Sequence, residues 1–358
     1  MSKLHEVKKL GQSIWLDNLS RTIIQEGELA KLVNEEGVSG ITSNPAIFQK
    51  ALTDSPYYQA DLAQLKLSTA DAEARYEALI IPDIQAACDI LMATYHTSLG
   101  DDGYVSLEVA PALADDTAAT VAAALRLKSA VNRPNLLIKI PATPAGIAAF
   151  EQLTGMGVSV NITLLFSIKQ TVKTFEAYIK GLRHFVSLGG DGSKVKAVAS
   201  LFLSRVDSNI DPRLAAIATP AALALQGHCA LAIAKLSYQR YKQLFHGAYF
   251  ADLASAGCRP QYLLWASTGT KNKAYSDVKY IDNLIGAETI NTVPGATLDA
   301  FRDHGTVADT VESGAASAQT DYLALEALGI LADEVGEVLQ QEGLKIFADA
   351  YQQILATC

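Results

Sequence analysis

Lys139 lies inside an apolar run, Leu136-Leu-Ile-Lys-Ile-Pro141. That run reads as a central strand, where an ammonium loses solvation and the neutral amine gains ground. The neutral amine is the form that attacks a carbonyl. The competing reading is a strand-end lysine that carries its charge to solvent on an apolar stem. Two carboxylates occupy similar places. Asp17 closes Ile14-Trp-Leu-Asp17, and Glu108 lies in Val105-Ser-Leu-Glu-Val109. Each can move protons if its surroundings tune it, or can pair with a neighbouring Lys or Arg. Asn44, Asn161, Thr163, Ser200 and Lys271 also stand at the ends of short apolar runs. Asn44 precedes Pro45, a pair that also marks a strand exit. Arg205 follows Ser200-Leu-Phe-Leu-Ser204 and reads equally well as a surface arginine.

Such groups need a frame that brings their strand ends together. Strand-like runs occur at 13–17, 40–43, 105–109, 136–140, 158–164, 197–203, 262–267 and 289–293. They are short and β-branched, and several stop at Pro, Asn or Gly. Helical patterns lie between them: 71–95, punctuated by Pro82; 117–130, with Asp115 or Asp116 as cap; 167–188; and 231–245. The tail, 323–355, reads as two helices. Alternating strands and helices imply a parallel sheet, and eight strands are enough to close a barrel. The expected fold is a single-domain (β/α)8 TIM barrel over 1–358, with additional C-terminal helices from about 315 to 358. An open doubly wound sheet is the alternative. It usually carries a Gly-rich first turn, and the first turn here is Asp17-Asn-Leu-Ser-Arg21.

The 358 residues suit such a barrel, since these run from about 200 to over 400. The apolar share of 49% supplies a large core. A net charge of −9 repels nucleic acid and anionic lipid, so neither is expected as a partner. It also repels anionic substrates at long range, so any phosphate site must be a small local cluster of cations. The four cysteines form no CxxC pair and read as thiols of a reducing compartment. The six histidines show no metal-ligand spacing, and no metal is expected. The first residues lack the apolar core of a signal peptide. The most membrane-like stretch, 214–234, is interrupted by Thr219-Pro220, Gln226 and His228, and reads as loop and helix. A cytoplasmic chain is expected.

Seven segments together resemble the transaldolase family, in its longer branch. They are Trp15-Leu-Asp-Asn-Leu-Ser-Arg21, Gly40-Ile-Thr-Ser-Asn-Pro-Ala-Ile-Phe48, Val105-Ser-Leu-Glu-Val109, Leu137-Ile-Lys-Ile-Pro-Ala-Thr143, Val160-Asn-Ile-Thr-Leu-Leu-Phe-Ser167, Ser200-Leu-Phe-Leu-Ser-Arg205 and Asn291-Thr-Val-Pro-Gly-Ala-Thr-Leu298. The resemblance implies transfer of a dihydroxyacetone unit between sugar phosphates, without metal or organic cofactor. It makes Lys139 the Schiff-base lysine and Asp17 the acceptor of the C4-hydroxyl proton. Glu108 and Thr163 would hold a water for proton transfer, and Asn44 and Asn161 would bind the hydroxyls of the three-carbon unit. Ser200 and Arg205 would form part of a phosphate pocket. Phe202 would lie near the reacting carbons, where tyrosine favours aldolase-like release. One segment departs from the pattern. Short-form members read Ala-Ser-Phe-Arg-Asn after the seventh strand; this chain reads Ala266-Ser-Thr-Gly-Thr-Lys-Asn272, two residues longer. Lys271 then takes the cationic place as a point charge, without the fork of an arginine. The rival readings are a fructose 6-phosphate aldolase and a non-catalytic sugar-phosphate-binding barrel. The sequence leaves homo-oligomerisation open.

Overall fold

The computed structural model describes residues 2–69 and 71–358. Eight parallel strands close into a barrel in sequence order, each hydrogen-bonded to the next and the last to the first. They are β1 (Gln12–Asp17), β2 (Ile41–Thr42), β3 (Val105–Glu108), β4 (Leu136–Pro141), β5 (Val160–Leu165), β6 (Ala197–Phe202), β7 (Tyr262–Ala266) and β8 (Thr289–Val293). All eight expected runs are strands, and the closed ring replaces the doubly wound alternative. β4, β5 and β6 are buried along their whole length, which explains why they read as near-continuous apolar runs.

Strand exits are built to start helices. Ser20, Asn44, Thr143 and Ser167 follow β1, β2, β4 and β5, and each side chain accepts from a backbone N–H of the helix it opens. These caps satisfy donors that a helix start leaves free, and they aim the chain back down the barrel wall. Pro45 and Pro144 take the first helical position, where a missing N–H costs nothing.

The helical pattern punctuated by Pro82 is one helix, Ala72–Thr97, with the proline inside it. Its face of Tyr76, Leu79, Ile80, Ile84, Ala87, Cys88 and Leu91 is buried, and that burial outweighs the hydrogen bond lost at the proline. This helix, rather than 214–234, is the one long and apolar enough to cross a membrane among the described residues. The 214–234 stretch divides among three helices, Ser204–Ile217, Pro220–Ala224 and Cys229–Phe245. Asp116 is the cap of Thr117–Val131. The tail forms Ala315–Ala327 and Ala332–Thr357. All four cysteines are buried and unbridged.

The two ends of the barrel differ. At the amino end, Asp102 is 1% exposed and accepts from Lys8, Ser13, Trp15 and its neighbour Gly103. Beside it Lys196, fully buried, donates to Asp101 at 2.7 Å and lies 3.4 Å from the Tyr262 ring centre. These ion pairs and packed rings fill the floor. The carboxyl end opens into a cavity.

Candidate active site

The cavity at the carboxyl ends of the strands measures about 370 Å3. Its wall includes Asp17, Thr42, Asn44, Lys139, Thr163, Ser200, Phe202, Arg205, Lys271 and Phe347. Two larger grooves, of about 650 and 880 Å3, lie on the outer surface and contain none of these groups. Parallel barrels carry their chemistry at the carboxyl end, so the smaller cavity is the candidate site. Ligands of this size prefer enclosed sites with a few convergent polar groups.

Strand register sets the cluster at its base. Lys139 on β4 is level with Glu108 on β3 and Asn161 on β5. The Lys139 side chain is almost wholly buried, at 6% exposure. Its Nζ donates to the Ser43 carbonyl at 3.0 Å and stands 3.6 Å from Glu108 Oε2. The second distance is that of an ion pair rather than a hydrogen bond. Both Glu108 oxygens are buried and have no hydrogen-bond partner in the protein. Burial pushes the Glu108 carboxyl up to about 7; the Lys139 charge opposes this and the Asp17 charge adds to it. The Thr163 hydroxyl is likewise buried without a partner.

Asp17 is held from the side. Its Oδ1 accepts from Thr42 at 2.8 Å, and Thr42 on β2 in turn meets Thr292 on β8, the other neighbour of β1, at 2.6 Å. Burial raises the Asp17 carboxyl, against the charges of Lys139 and Lys271 and the Thr42 hydrogen bond. Asn161 lies beneath the cavity wall and is fully buried. It accepts from Ser200 at 2.6 Å and donates to Ser106 at 3.1 Å, which leaves one amide hydrogen. Asn44 spends its Oδ1 on the Ile47 N–H as a helix cap, so its amide is the group left to donate.

Higher up, Arg205 opens the helix after β6. One guanidinium nitrogen, Nη1, is buried without a partner. Burial pulls the guanidinium below its ordinary value, with the Glu342 charge opposing. A guanidinium with a buried, unpartnered nitrogen suits an oxyanion, which an arginine can bind with two parallel hydrogen bonds. The Phe202 ring lies 5.7 Å from the Arg205 guanidinium carbon and 5.2 Å from the Phe166 ring. Lys271 is exposed on the loop after β7 and reaches the cavity wall. Eight of the ten residues singled out in the sequence line this cavity; Glu108 and Asn161 do not, but each touches a residue that does, Lys139 and Ser200 respectively.

Sequence reasoning missed four groups. Thr42 and Thr292 were inside quoted segments but had no assigned role. The Ser43 carbonyl is a backbone group and leaves no trace in residue type. Phe347, 5.6 Å from Lys139 Nζ, comes from the C-terminal helix, where an aromatic among Leu and Ile reads as core. Among the described residues no group of three or more His, Cys, Asp or Glu is placed to hold a metal ion.

A closed parallel barrel with a buried amine, two carboxyls raised by burial and an unpartnered guanidinium nitrogen at its mouth has the make-up of a barrel enzyme. Residues 14–358 match the family model described as transaldolase/fructose-6-phosphate aldolase, and the chain belongs to that family. It is 53% identical to a transaldolase of Thiobacillus denitrificans over 99% of each chain. It is 46% identical to a transaldolase of Neisseria gonorrhoeae, again over 99% of each. With a protein named transaldolase 1 from Streptomyces coelicolor it shares 46% identity, over 99% of this chain and 93% of that one. These relatives carry the transferase name of the family rather than the aldolase name.

Proposed function

We propose that this chain is a transaldolase of the non-oxidative pentose phosphate pathway, acting in the cytoplasm through a Schiff base on Lys139. It takes a dihydroxyacetone unit from sedoheptulose 7-phosphate or fructose 6-phosphate. It gives that unit to an aldose phosphate, glyceraldehyde 3-phosphate or erythrose 4-phosphate. The observation that carries the reading is the buried Lys139 amine, 3.6 Å from a carboxyl whose proton affinity is set near neutrality.

The steps follow from the positions of the groups. Glu108 takes a proton from the Lys139 ammonium, the freed amine attacks the C2 ketone, and an N–H proton of the adduct passes to the C2 oxygen. With a carboxyl raised to about 7, the transfer to Glu108 is far less uphill than to an ordinary glutamate. Glu108 returns the proton as C2 loses water. A water held between Glu108 and the unpartnered Thr163 hydroxyl relays it. The resulting iminium draws electrons from the C3–C4 bond. Asp17, fixed by Thr42, accepts the C4-hydroxyl proton as that bond breaks. The aldehyde leaves, and the three-carbon enamine stays on Lys139 until an acceptor arrives. No cofactor enters, because the iminium is the electron sink.

Recognition is divided along the cavity. The amides of Asn44 and Asn161, with Ser200, hold the hydroxyls of the three-carbon unit. Arg205 and Lys271 hold the phosphate at the mouth, and Phe202 packs beside the reacting carbons. The barrel and its C-terminal helices work as one domain.

Borohydride reduction in the presence of fructose 6-phosphate is the direct test. Peptide mass analysis should find a reduced three-carbon unit on Lys139. A label on another lysine, or none, ends the proposal.

A further inference from the structure

The helix Ala332–Thr357 lies across the barrel mouth, and four of its residues form one stripe. Gly336, Gln340, Gly343 and Phe347 are spaced by four, three and four, which places them on one face. The face is fitted to the exits of β4 and β5. The Gly336 carbonyl accepts from Gln170 at 3.2 Å, and the same Gln170 accepts from the Phe166 N–H at 2.8 Å. Buried Gln340 donates to both the Ala142 and Leu164 carbonyls, each at 3.0 Å. A methyl on Gly343 would lie 2.9 Å from Leu164 Cδ2 and 3.6 Å from Arg205 Nη1. Phe347 ends the stripe over Lys139.

One of the Gln340 contacts, to Leu164, falls where β5 stops pairing regularly with β6. The β5–β6 register shifts between Ile162 and Leu165. Leu164 has φ +61°, a left-handed conformation that a leucine rarely adopts. Its carbonyl is one of the two that Gln340 holds. A single amide therefore ties the helix to the end of the Lys139 strand and to the residue after Thr163. The geometry fixes where Phe347 sits relative to the amine.

We infer that this stripe is a water-excluding roof over the Lys139 adduct, that Gln340 is its positioning residue, and that the roof favours transfer over hydrolytic release. The inference rests on the Schiff-base reading. The competing reaction balances simply. The enamine takes a proton at carbon, water adds at C2, and the C–N bond breaks. Free dihydroxyacetone leaves and the amine is restored. Apart from the relay water fixed between Glu108 and Thr163, the one co-reactant is water from bulk solvent, so bulk access to the adduct sets the competition. Phe347 covers the amine with a ring that offers water no hydrogen bond. Gln340 lies outside the cavity wall and acts through the helix.

The test compares the wild type with Phe347→Ala and Gln340→Met. Its readout is dihydroxyacetone released from fructose 6-phosphate alone, divided by transfer when erythrose 4-phosphate is present. In both variants the ratio should rise about tenfold, while borohydride still labels Lys139 and the melting curve stays cooperative. A folded Phe347→Ala variant with the wild-type ratio overturns the roof. A raised ratio in Phe347→Ala alone, with folded Gln340→Met unchanged, overturns the role of Gln340. Should Gln340→Met fail to fold, a graded ratio decides: Phe347→Ala above Phe347→Leu above wild type supports the roof, and no gradation overturns it. Loss of labelling in the wild type would instead overturn the Schiff-base reading, and the two failures are told apart.

Discussion

Lys139 and Glu108 meet in a space that offers Glu108 no other donor. A carboxylate so placed is costly, and burial raises its proton affinity until it titrates near 7. The sign of the resulting pH dependence is fixed. Below about 7 Glu108 is protonated and, in the proposed mechanism, could not take the Lys139 proton; above it the carboxylate could. Adduct formation should therefore weaken as pH falls through this range. In Glu108→Gln that limb should vanish from the pH–rate profile, with turnover lower by roughly 10²–10⁴. A Glu108→Gln variant that kept the limb would assign it to another group. The glutamate was legible in the sequence as a candidate. Its isolation was not, because that depends on what neighbouring strands fail to offer.

At the scale of elements, strand ends were the easiest feature to read. β4 and β5 announce themselves as apolar runs, and two residues past each end stands the cap of the next helix, Thr143 and Ser167. Helices packed closely on strand exits were harder. Pro144–Gly155 left no helical signal, being short and opening with Pro and Gly. Gly146 shows why this helix needs its glycine: a Cβ there would collide with the Pro141 carbonyl oxygen. Pro141 ends the strand that carries Lys139. Gly146→Ala should cost about 1–3 kcal/mol through overpacking, visible as a lower melting midpoint. It should also depress borohydride labelling of Lys139, because the strand end must move. A variant with normal stability and normal labelling would show that this contact does not set the amine's position. The helix at the other side of the mouth was legible as an element but not as part of the site. Gly336, Gln340 and Gly343 are ordinary residue types, and their meaning comes from a face that only the folded chain brings to Leu164 and Arg205.

At the scale of the whole molecule, composition bounded the answer and topology supplied it. Length, alternation and the absence of a Gly-rich first turn pointed to the barrel, and against a net charge of −9 Arg205 and Lys271 are the cations proposed to hold phosphate at its mouth. The barrel floor carries a further consequence. Asp101, Asp102, Lys196 and the rings beside them seal the amino end, so sugars come and go at the carboxyl end. Donor and acceptor must then queue for one doorway, and an aldose phosphate that arrives before the donor occupies the vestibule unproductively. Raising erythrose 4-phosphate at fixed fructose 6-phosphate should first speed turnover and then slow it, with the inhibition relieved by more donor. Steady-state rates on a two-substrate grid would reveal this turnstile, and a monotonic approach to saturation would show that the two sugars do not exclude each other.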